Sequence, residues 1–313
     1  SRKIKKKQLG LLGVSSTPAP TAESAFETVA PSGPAFDEVK DIISLPHFDP
    51  KAFARNLDPD SVEIPDAVLG QLSVYVSRIA DLYRANPFHN FEHASHVTMS
   101  VTKLMSRIVN PLQVDGSTSD QNKILHDHTF GITSDPLTHF ACVLSALIHD
   151  ADHPGVSNSV LVTEKDPLAT KYKDKSVAEQ NSVDLAWNIL MEDGFEELRS
   201  LIYTNPDEFS RFRQIIVNTV LATDIMDKEL GAQRKARWEM AFNSNNNDLG
   251  DNSHRKNEEH SHSHSGSTTT SRSDTSQYEV NRKATIVLEH LIQASDVSHT
   301  MQHWHVYRKW NER

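Results

Sequence analysis

The sequence predicts an all-α protein, on three observations. From about Phe36 onward, apolar residues recur at intervals of three and four, the period of one helix face. No stretch alternates apolar and polar residues between hairpin turns, the pattern of a half-buried strand. Breakers, namely Pro87, Pro136 and the pair Pro154-Gly155, fall between the periodic runs, where they separate helices instead of kinking them.

In chain order, the first helix is read from "PDAVLGQLSVYVSRIADLYRAN", where Val68, Leu72, Val76, Ile79 and Leu82 form one stripe. The second is "EHASHVTMSVTKLMSRIV". The third, "DPLTHFACVLSALIHD", is strongly apolar and reads as a buried helix. "SVAEQNSVDLAWNILME", "EFSRFRQIIVNTVLATDI", "QRKARWEMAF" and "YEVNRKATIVLEHLIQASDV" follow, and "VYRKWNER" at the end also reads as helix. Two segments break the pattern. Residues 1–35 combine a basic opening, "RKIKKK", with a Pro, Ser, Ala and Thr run, and 243–277 is rich in Asn, Ser, Thr and His. Neither buries enough apolar surface to offset the entropy of ordering, so the first reads as a disordered linker and the second as a long disordered loop insertion in a single domain, 36–313. An insertion of that length is tolerated because closure entropy grows slowly with loop length.

These segments account for a hydrophobic fraction of only 37%, below the roughly 45–50% usual in globular domains. A formal charge of -10 disfavours a nucleic-acid partner, since gripping phosphates needs an excess of Lys and Arg on one face. A small anion is still bound if a metal supplies the positive charge. The single cysteine, Cys142, excludes an internal disulfide and suits a reducing, cytoplasmic setting. The basic opening fits either the cytosolic flank of a membrane-tethered protein, fused to an upstream regulatory or membrane segment, or a plain solvated linker. The chain starts at Ser and stops inside a helical pattern, so it reads as a fragment.

Three clusters carry chemistry. "FHNFEHASH" places His89 and His93 one helical turn apart on one face; His96 reads as a bystander. "LIHDADHPG" ends the most apolar helix with His149 and Asp150, and His153 follows. Burying such groups is costly unless they are paired or hold a cation. "LIQASDVSH" places Asp296 at the end of another apolar run. Together His93, His149, Asp150 and Asp296 offer a mixed nitrogen and oxygen set suited to Zn²⁺, Fe²⁺ or Mn²⁺. Asp150 has an oxygen to spare for a harder ion such as Mg²⁺, and two ions ~3.5–4 Å apart can clamp a phosphoryl group during in-line displacement. Each residue taken singly has a plainer explanation: a cap, a salt-bridge partner or a helix-surface side chain.

The succession "HNFEHA" at 89, "HDADHPGVSN" at 149, "LATD" at 221 and "ASDVS" at 294 resembles the catalytic domain of the class I 3',5'-cyclic-nucleotide phosphodiesterases. The likeness runs from about Phe36 to the end of the chain. It implies a compact multi-helix domain of the HD type and hydrolysis of cAMP or cGMP to the 5'-monophosphate. It implies His93, His149, Asp150 and Asp296 as ligands of a tight Zn²⁺ site, Asp150 reaching a second ion, Mg²⁺ or Mn²⁺. His89 falls at the position of the proton donor to the departing 3'-oxygen, and Glu179 at that of a glutamate near the active-site water. His153, Thr223 and Asp224 match outer positions around the metals, and the substrate phosphate would lie against His89, Asp150 and Asp296. Phe88 stands where the family usually has Tyr, Ala151 where a larger apolar residue is usual, and Asn181 where histidine is common. The family's purine-binding glutamine and aromatic clamp lie well past the Asp296 motif, so the domain reads as C-terminally incomplete.

Two other readings stand beside this one. Another HD-type phosphohydrolase would act on nucleoside phosphates or linear phosphodiesters; a non-catalytic domain would bind cyclic nucleotide and regulate a fused module.

Overall fold

The computed structural model describes residues 35–40, 42–51, 63–109, 119–242 and 270–312, all within the unit Pro34–Arg313. No strand occurs among them. A 3-10 turn, Ala35–Lys40, precedes α1 (Asp66–Leu82), α2 (Phe91–Val109), α3 (Ser119–His128) and a short 3-10 turn, Ile132–Ser134. Then come α4 (Pro136–Ile148), α5 (Asn158–Thr163), α6 (Pro167–Lys171), α7 (Val177–Met191), α8 (Glu196–Ile202) and α9 (Pro206–Leu221). After α10 (Lys228–Phe242) and α11 (Thr270–Asp296), a 3-10 turn, Val297–Met301, leads into α12 (Trp304–Asn311).

The centre is α4. Ala141, Cys142, Leu144, Ser145, Ala146 and Ile148 are all buried, and the helix packs on α2, α9, α7 and α11. Its position explains why it has no polar face. Burial raises the Cys142 thiol to about 12, so the thiol is inert near neutral pH. Where α4 meets α9, the Thr219 hydroxyl donates to Ser145 Oγ at 2.7 Å, pairing two hydroxyls that would be costly to bury alone.

Helix starts follow local chemistry. Asn205 caps α9 by accepting from the Glu208 amide at 2.9 Å, with Pro206 in the first turn. Asp166 caps α6 in the same way, ahead of Pro167. The segment before α1 is tied down from a distance: the Ile43 amide donates to Thr285 Oγ1 at 3.0 Å and the Leu45 amide to Asn281 Oδ1 at 3.2 Å, both on α11.

Two sequence expectations change. In α1 the stripe turns toward Tyr75, which is buried beside Val68 and Ile79, while Leu72, Val76 and Leu82 are half-buried. The Tyr75 hydroxyl donates to the Ala186 carbonyl of α7 at 3.1 Å, so its ring sits in the core with its polar end satisfied. The second change concerns the insertion. Residues 1–34 and 243–269 lie outside the described residues, but 270–277, assigned to the disordered insertion from their polar composition, are the start of α11. Composition measures what a segment can bury by itself; a helix that nucleates on packed residues downstream extends into polar sequence at little cost. No described helix is long and apolar enough to cross a membrane.

Candidate metal centre

Three helix ends meet at one point. Asn90 sets the entry of α2: its Oδ1 accepts from the His93 amide at 3.0 Å, and its Nδ2 donates to the Asn86 and Pro87 carbonyls. This places His93 in the first turn of α2. The C-terminal ends of α4 and α11 deliver His149 with Asp150, and Asp296. A helix C-terminus carries partial negative charge, so both ends favour a cation.

His93 and His149 are buried at 1% exposure each. His93 Nε2 lies 2.9 Å from Asp296 Oδ1 and 3.7 Å from Asp150 Oδ2; His149 Nε2 lies 3.3 Å from Asp150 Oδ2 and 3.5 Å from Asp296 Oδ1. An ion bonded at about 2.1 Å to two ligands at tetrahedral or octahedral angles separates them by about 3.0–3.4 Å. The four separations, from 2.9 to 3.7 Å, bracket that range, so the donors crowd one small volume. His149 supplies the more telling sign. Its Nδ1 lies 2.9 Å from the Ala146 carbonyl and donates to it, which leaves Nε2 aimed into the cluster, facing both carboxylates but without a well-aligned hydrogen bond among the described residues. A buried ring nitrogen oriented in this way by a backbone carbonyl is what a metal ligand presents once a cation displaces its proton. The residues present fit a divalent cation, and two groups of His and Asp side chains, His93, His149, Asp296 and His89, Asp150, His153, are close enough to hold one. Asp150 belongs to both neighbourhoods, since its Oδ2 also lies 3.0 Å from His89 Nδ1.

In the absence of a cation the cluster is a set of mutually dependent charges. Burial opposes charging of His149, but Asp150 and Asp296 outweigh it and hold its pKa well above the ordinary imidazole value. Burial likewise disfavours the charged Asp150 and Asp296, and the neighbouring imidazoles overcome it and hold both carboxyls below their usual range.

The remaining expected residues fall around this core. His89 is half-buried, and its ring stacks on His153 with centroids 3.8 Å apart. His153 Nδ1 accepts from the Gly155 amide at 3.0 Å, and burial lowers its pKa to about 4, so it is a neutral platform at neutral pH. Glu179 is held through Asn158, and no hydrogen bond to His89 occurs among the described residues. Asn158 Nδ2 donates to Glu179 Oε2 at 2.8 Å and to Asp224 Oδ2 at 3.1 Å, and the Ser176 hydroxyl donates to Asp224 Oδ2 at 2.8 Å. Ser176 holds a left-handed φ of 36° to do so, a strained conformation of the kind that collects at functional sites. The Thr223 hydroxyl turns back to the Val220 carbonyl at 2.7 Å.

Sequence reasoning missed Asn86, Asn90, Asn158 and Ser176. The spacing of Asn90 three residues before His93 is a capping signal, and Asn86 just before Pro87 is a turn signal of the same local kind, whereas Asn158 and Ser176 act across the fold and leave no local trace. The departures are also accounted for. Phe88 packs its ring 4.5 Å from His93 and 5.9 Å from buried Trp310 of α12, forming an apolar wall. Ala151 is buried, and its carbonyl accepts from Ser182. Asn181 Nδ2 donates to Asp152 Oδ2 at 3.0 Å, whose other oxygen holds Arg84 Nε at 2.6 Å. His96 has its ring 5.3 Å from Trp310, at the edge of the same wall.

Asn86 Oδ1 accepts from the Phe88 and His89 amides and so shapes the turn that presents His89. This depends on Gly155, which has φ +83° and where an added Cβ would meet Asn86 Nδ2 at 2.4 Å. Gly155→Ala is expected to displace Asn86 and to lower turnover about a hundredfold, as an ångström-scale shift of a reacting group does, with the helix content unchanged by circular dichroism.

Burial, then Asp224, raises the Glu179 carboxyl from 4.5 to about 7. The folded state thus keeps a proton that the unfolded chain releases, and the contribution of Glu179 to stability falls as pH rises from 4.5 through 7. Glu179→Gln removes the penalty. Metal-free Glu179→Gln protein should melt a few degrees above wild type at pH 8 and level with it below pH 4.5, measured by scanning calorimetry.

An all-helical protein with an HD-type centre of histidines and aspartates is the class that this fold and site define. Residues 88–313 match the model of the 3'5'-cyclic nucleotide phosphodiesterase family. The chain belongs to that family, whose members generally use divalent metals. Among curated relatives, it is 33% identical over 167 residues to the human cGMP-inhibited 3',5'-cyclic phosphodiesterase 3A, covering 46% of this chain and 14% of that protein. It is 30% identical over 155 residues to the probable 3',5'-cyclic-AMP phosphodiesterase pde-4 of Caenorhabditis elegans, covering 49% and 19%. The chain thus spans less than a fifth of the length of either. The solved phosphodiesterase domain of the RhoPDE fusion protein from the choanoflagellate Salpingoeca rosetta shares the fold, with TM-score 0.52 and 23% identity over 91% of this chain and 73% of that one.

Proposed function

We propose that this chain carries the hydrolytic centre of a 3',5'-cyclic nucleotide phosphodiesterase, which opens cAMP or cGMP at the 3'-ester to give the 5'-monophosphate and so ends a cyclic-nucleotide signal. One observation carries the reading: His149 Nε2, oriented by the Ala146 carbonyl and without a well-aligned hydrogen bond among the described residues, points into a cluster completed by His93, Asp150 and Asp296. The family match supports it.

In this reading His93, His149, Asp150 and Asp296 hold a Zn²⁺ ion, for which a mixed imidazole and carboxylate set is suited. Asp150 would also serve a Mg²⁺ or Mn²⁺ ion, with Thr223, Asp224 and Glu179 as the outer residues on that side. Two ions held there would supply an activated water and positive charge to offset what builds on the phosphoryl group. His89 then protonates the departing 3'-oxygen. Its Nδ1 is engaged by Asp150, which leaves Nε2 as the nitrogen that hands over the proton. His153, stacked beneath the ring, keeps His89 from rotating away. The substrate phosphate lies among His89, Asp150 and Asp296. Residues 36–313 form the catalytic domain, and the unbridged, buried Cys142 supports a cytoplasmic setting.

The test is a substrate panel. Zinc- and magnesium-loaded protein is incubated with cAMP, cGMP, a linear phosphodiester and a nucleoside triphosphate, and the products are separated by chromatography. The expected products are 5'-AMP or 5'-GMP. Cleavage of only the last two substrates would replace the reading with another HD-type phosphohydrolase, and binding of cyclic nucleotide without product would make the domain a regulatory one.

A further inference from the structure

The turn after α9, Ala222–Asp224, carries the Asp224 carboxylate; its amides close back on the Asn218, Val220 and Leu221 carbonyls of α9, but α9 does not hold the carbonyls of Ala222 and Asp224. Two long side chains from different helices do. Gln293 Nε2 of α11 donates to the Ala222 carbonyl at 2.7 Å, and Arg234 Nη2 of α10 donates to the Asp224 carbonyl at 3.1 Å. The two accepting carbonyls flank Thr223. Gln293 stands three residues before Asp296 on the same face of α11, so one helical turn delivers a cluster carboxylate and grips the opposite half of the site.

The anchoring continues behind it. Arg237, one turn beyond Arg234, pairs with Glu289 in the interior, and Glu289 stands one turn before Gln293. The α10–α11 pair is therefore locked at a point from which both clamping side chains extend. Downstream, Asp224 has no slack: Oδ1 accepts from the Met226 and Asp227 amides at 3.1 Å each, and Oδ2 from Ser176 and Asn158. A displacement of the Ala222–Asp224 backbone would carry this carboxylate, and through Asn158 also Glu179, relative to Asp296.

We propose that Gln293 and Arg234 are a positioning pair that sets the distance between Asp296 and the Thr223–Asp224 turn, and thereby the affinity of the second cation site. The consequence for turnover rests on the phosphodiesterase reading; the mechanical claim does not. Gln293 is a positioning residue and not a catalytic one, because its donor is spent on a backbone carbonyl.

The test compares wild type with Gln293→Met, which keeps length and volume and deletes the donor, and with Arg234→Met and Arg234→Lys, the last retaining a donor. The first readout is hydrogen exchange in metal-free protein. The Met226 and Asp227 amides should exchange about tenfold faster in Gln293→Met, the factor expected for one lost hydrogen bond, with the amides of α4 unchanged. The second is Mn²⁺ affinity of the zinc-loaded protein by electron paramagnetic resonance, which should weaken several-fold in Gln293→Met and Arg234→Met and recover toward wild type in Arg234→Lys, the tight metal content staying constant. The third is kinetics: kcat should fall about tenfold with KM little changed, the signature of a group that acts on the transition state. Wild-type exchange at Met226 and Asp227 together with wild-type Mn²⁺ affinity would overturn the proposal. So would exchange that accelerates uniformly over α4, α9 and α11 with a lower melting temperature, which marks a structural role alone. If wild type hydrolyses no cyclic nucleotide, the functional reading fails while the exchange and Mn²⁺ measurements still decide the clamp.

Discussion

Asp296→Asn protein is expected to lose its tightly held divalent ion while keeping its helices. The substitution preserves the size of the side chain and removes the charge that lies 2.9 Å from His93 Nε2 and 3.5 Å from His149 Nε2. Changing a residue that merely orients a metal ligand costs about 10–100-fold in affinity, so changing a ligand should exceed that. Losing the charge that the two imidazoles favour is a local cost to the metal-free cluster, and the fold should survive because its buried centre on α4 is untouched. The check is metal content after dialysis, by atomic emission, beside circular dichroism. Wild-type zinc content in Asp296→Asn would remove Asp296 from the ligand set and with it the centre proposed here.

His89→Gln should do the opposite: full metal content and almost no turnover. The glutamine amide still donates to Asp150, so the hydrogen bond that His89 Nδ1 makes at 3.0 Å has a substitute. What glutamine cannot do is give up a proton near neutral pH. General acid catalysis is worth about 10²–10⁴-fold, and kcat on a cyclic nucleotide should fall by that amount. The deficit should shrink sharply on a p-nitrophenyl phosphodiester, whose leaving group departs without a proton. An equal loss on both substrates would mean that His89 acts on the phosphoryl group or the metals, and a wild-type rate on cyclic nucleotide would end its assignment as acid.

The two variants probe residues of very different legibility. His89 and His93 stand in one short motif, and His149 and Asp150 close the most apolar run in the chain, so the cost of burying them is visible without a structure. Asp296 was legible only as an ionisable residue at the end of another apolar helix. The principal helices were legible too, because a period of three and four persists wherever one face is buried. The short helices α5 and α6 were not, since five or six residues are too few to show a period. Nor was Trp310: nothing local tells that its ring closes over Phe88 and His93. The polar start of α11 was misjudged because helix propagation, once nucleated, does not need each residue to bury surface.

By itself, the sequence determined that the chain is helical, that its ionisable groups gather at the ends of buried helices, and that those groups suit a divalent cation. Each of these follows from a cost met within a few residues: backbone hydrogen bonding, face burial, or the desolvation of a charge. Only the tertiary structure decided that the helix ends meet, that Asp150 touches His89 and His149 at once, and that Asn158, Arg234 and Gln293 brace the second half of the site. Those contacts join positions tens to hundreds of residues apart, and their energies depend on ångström distances that packing sets and no local pattern encodes.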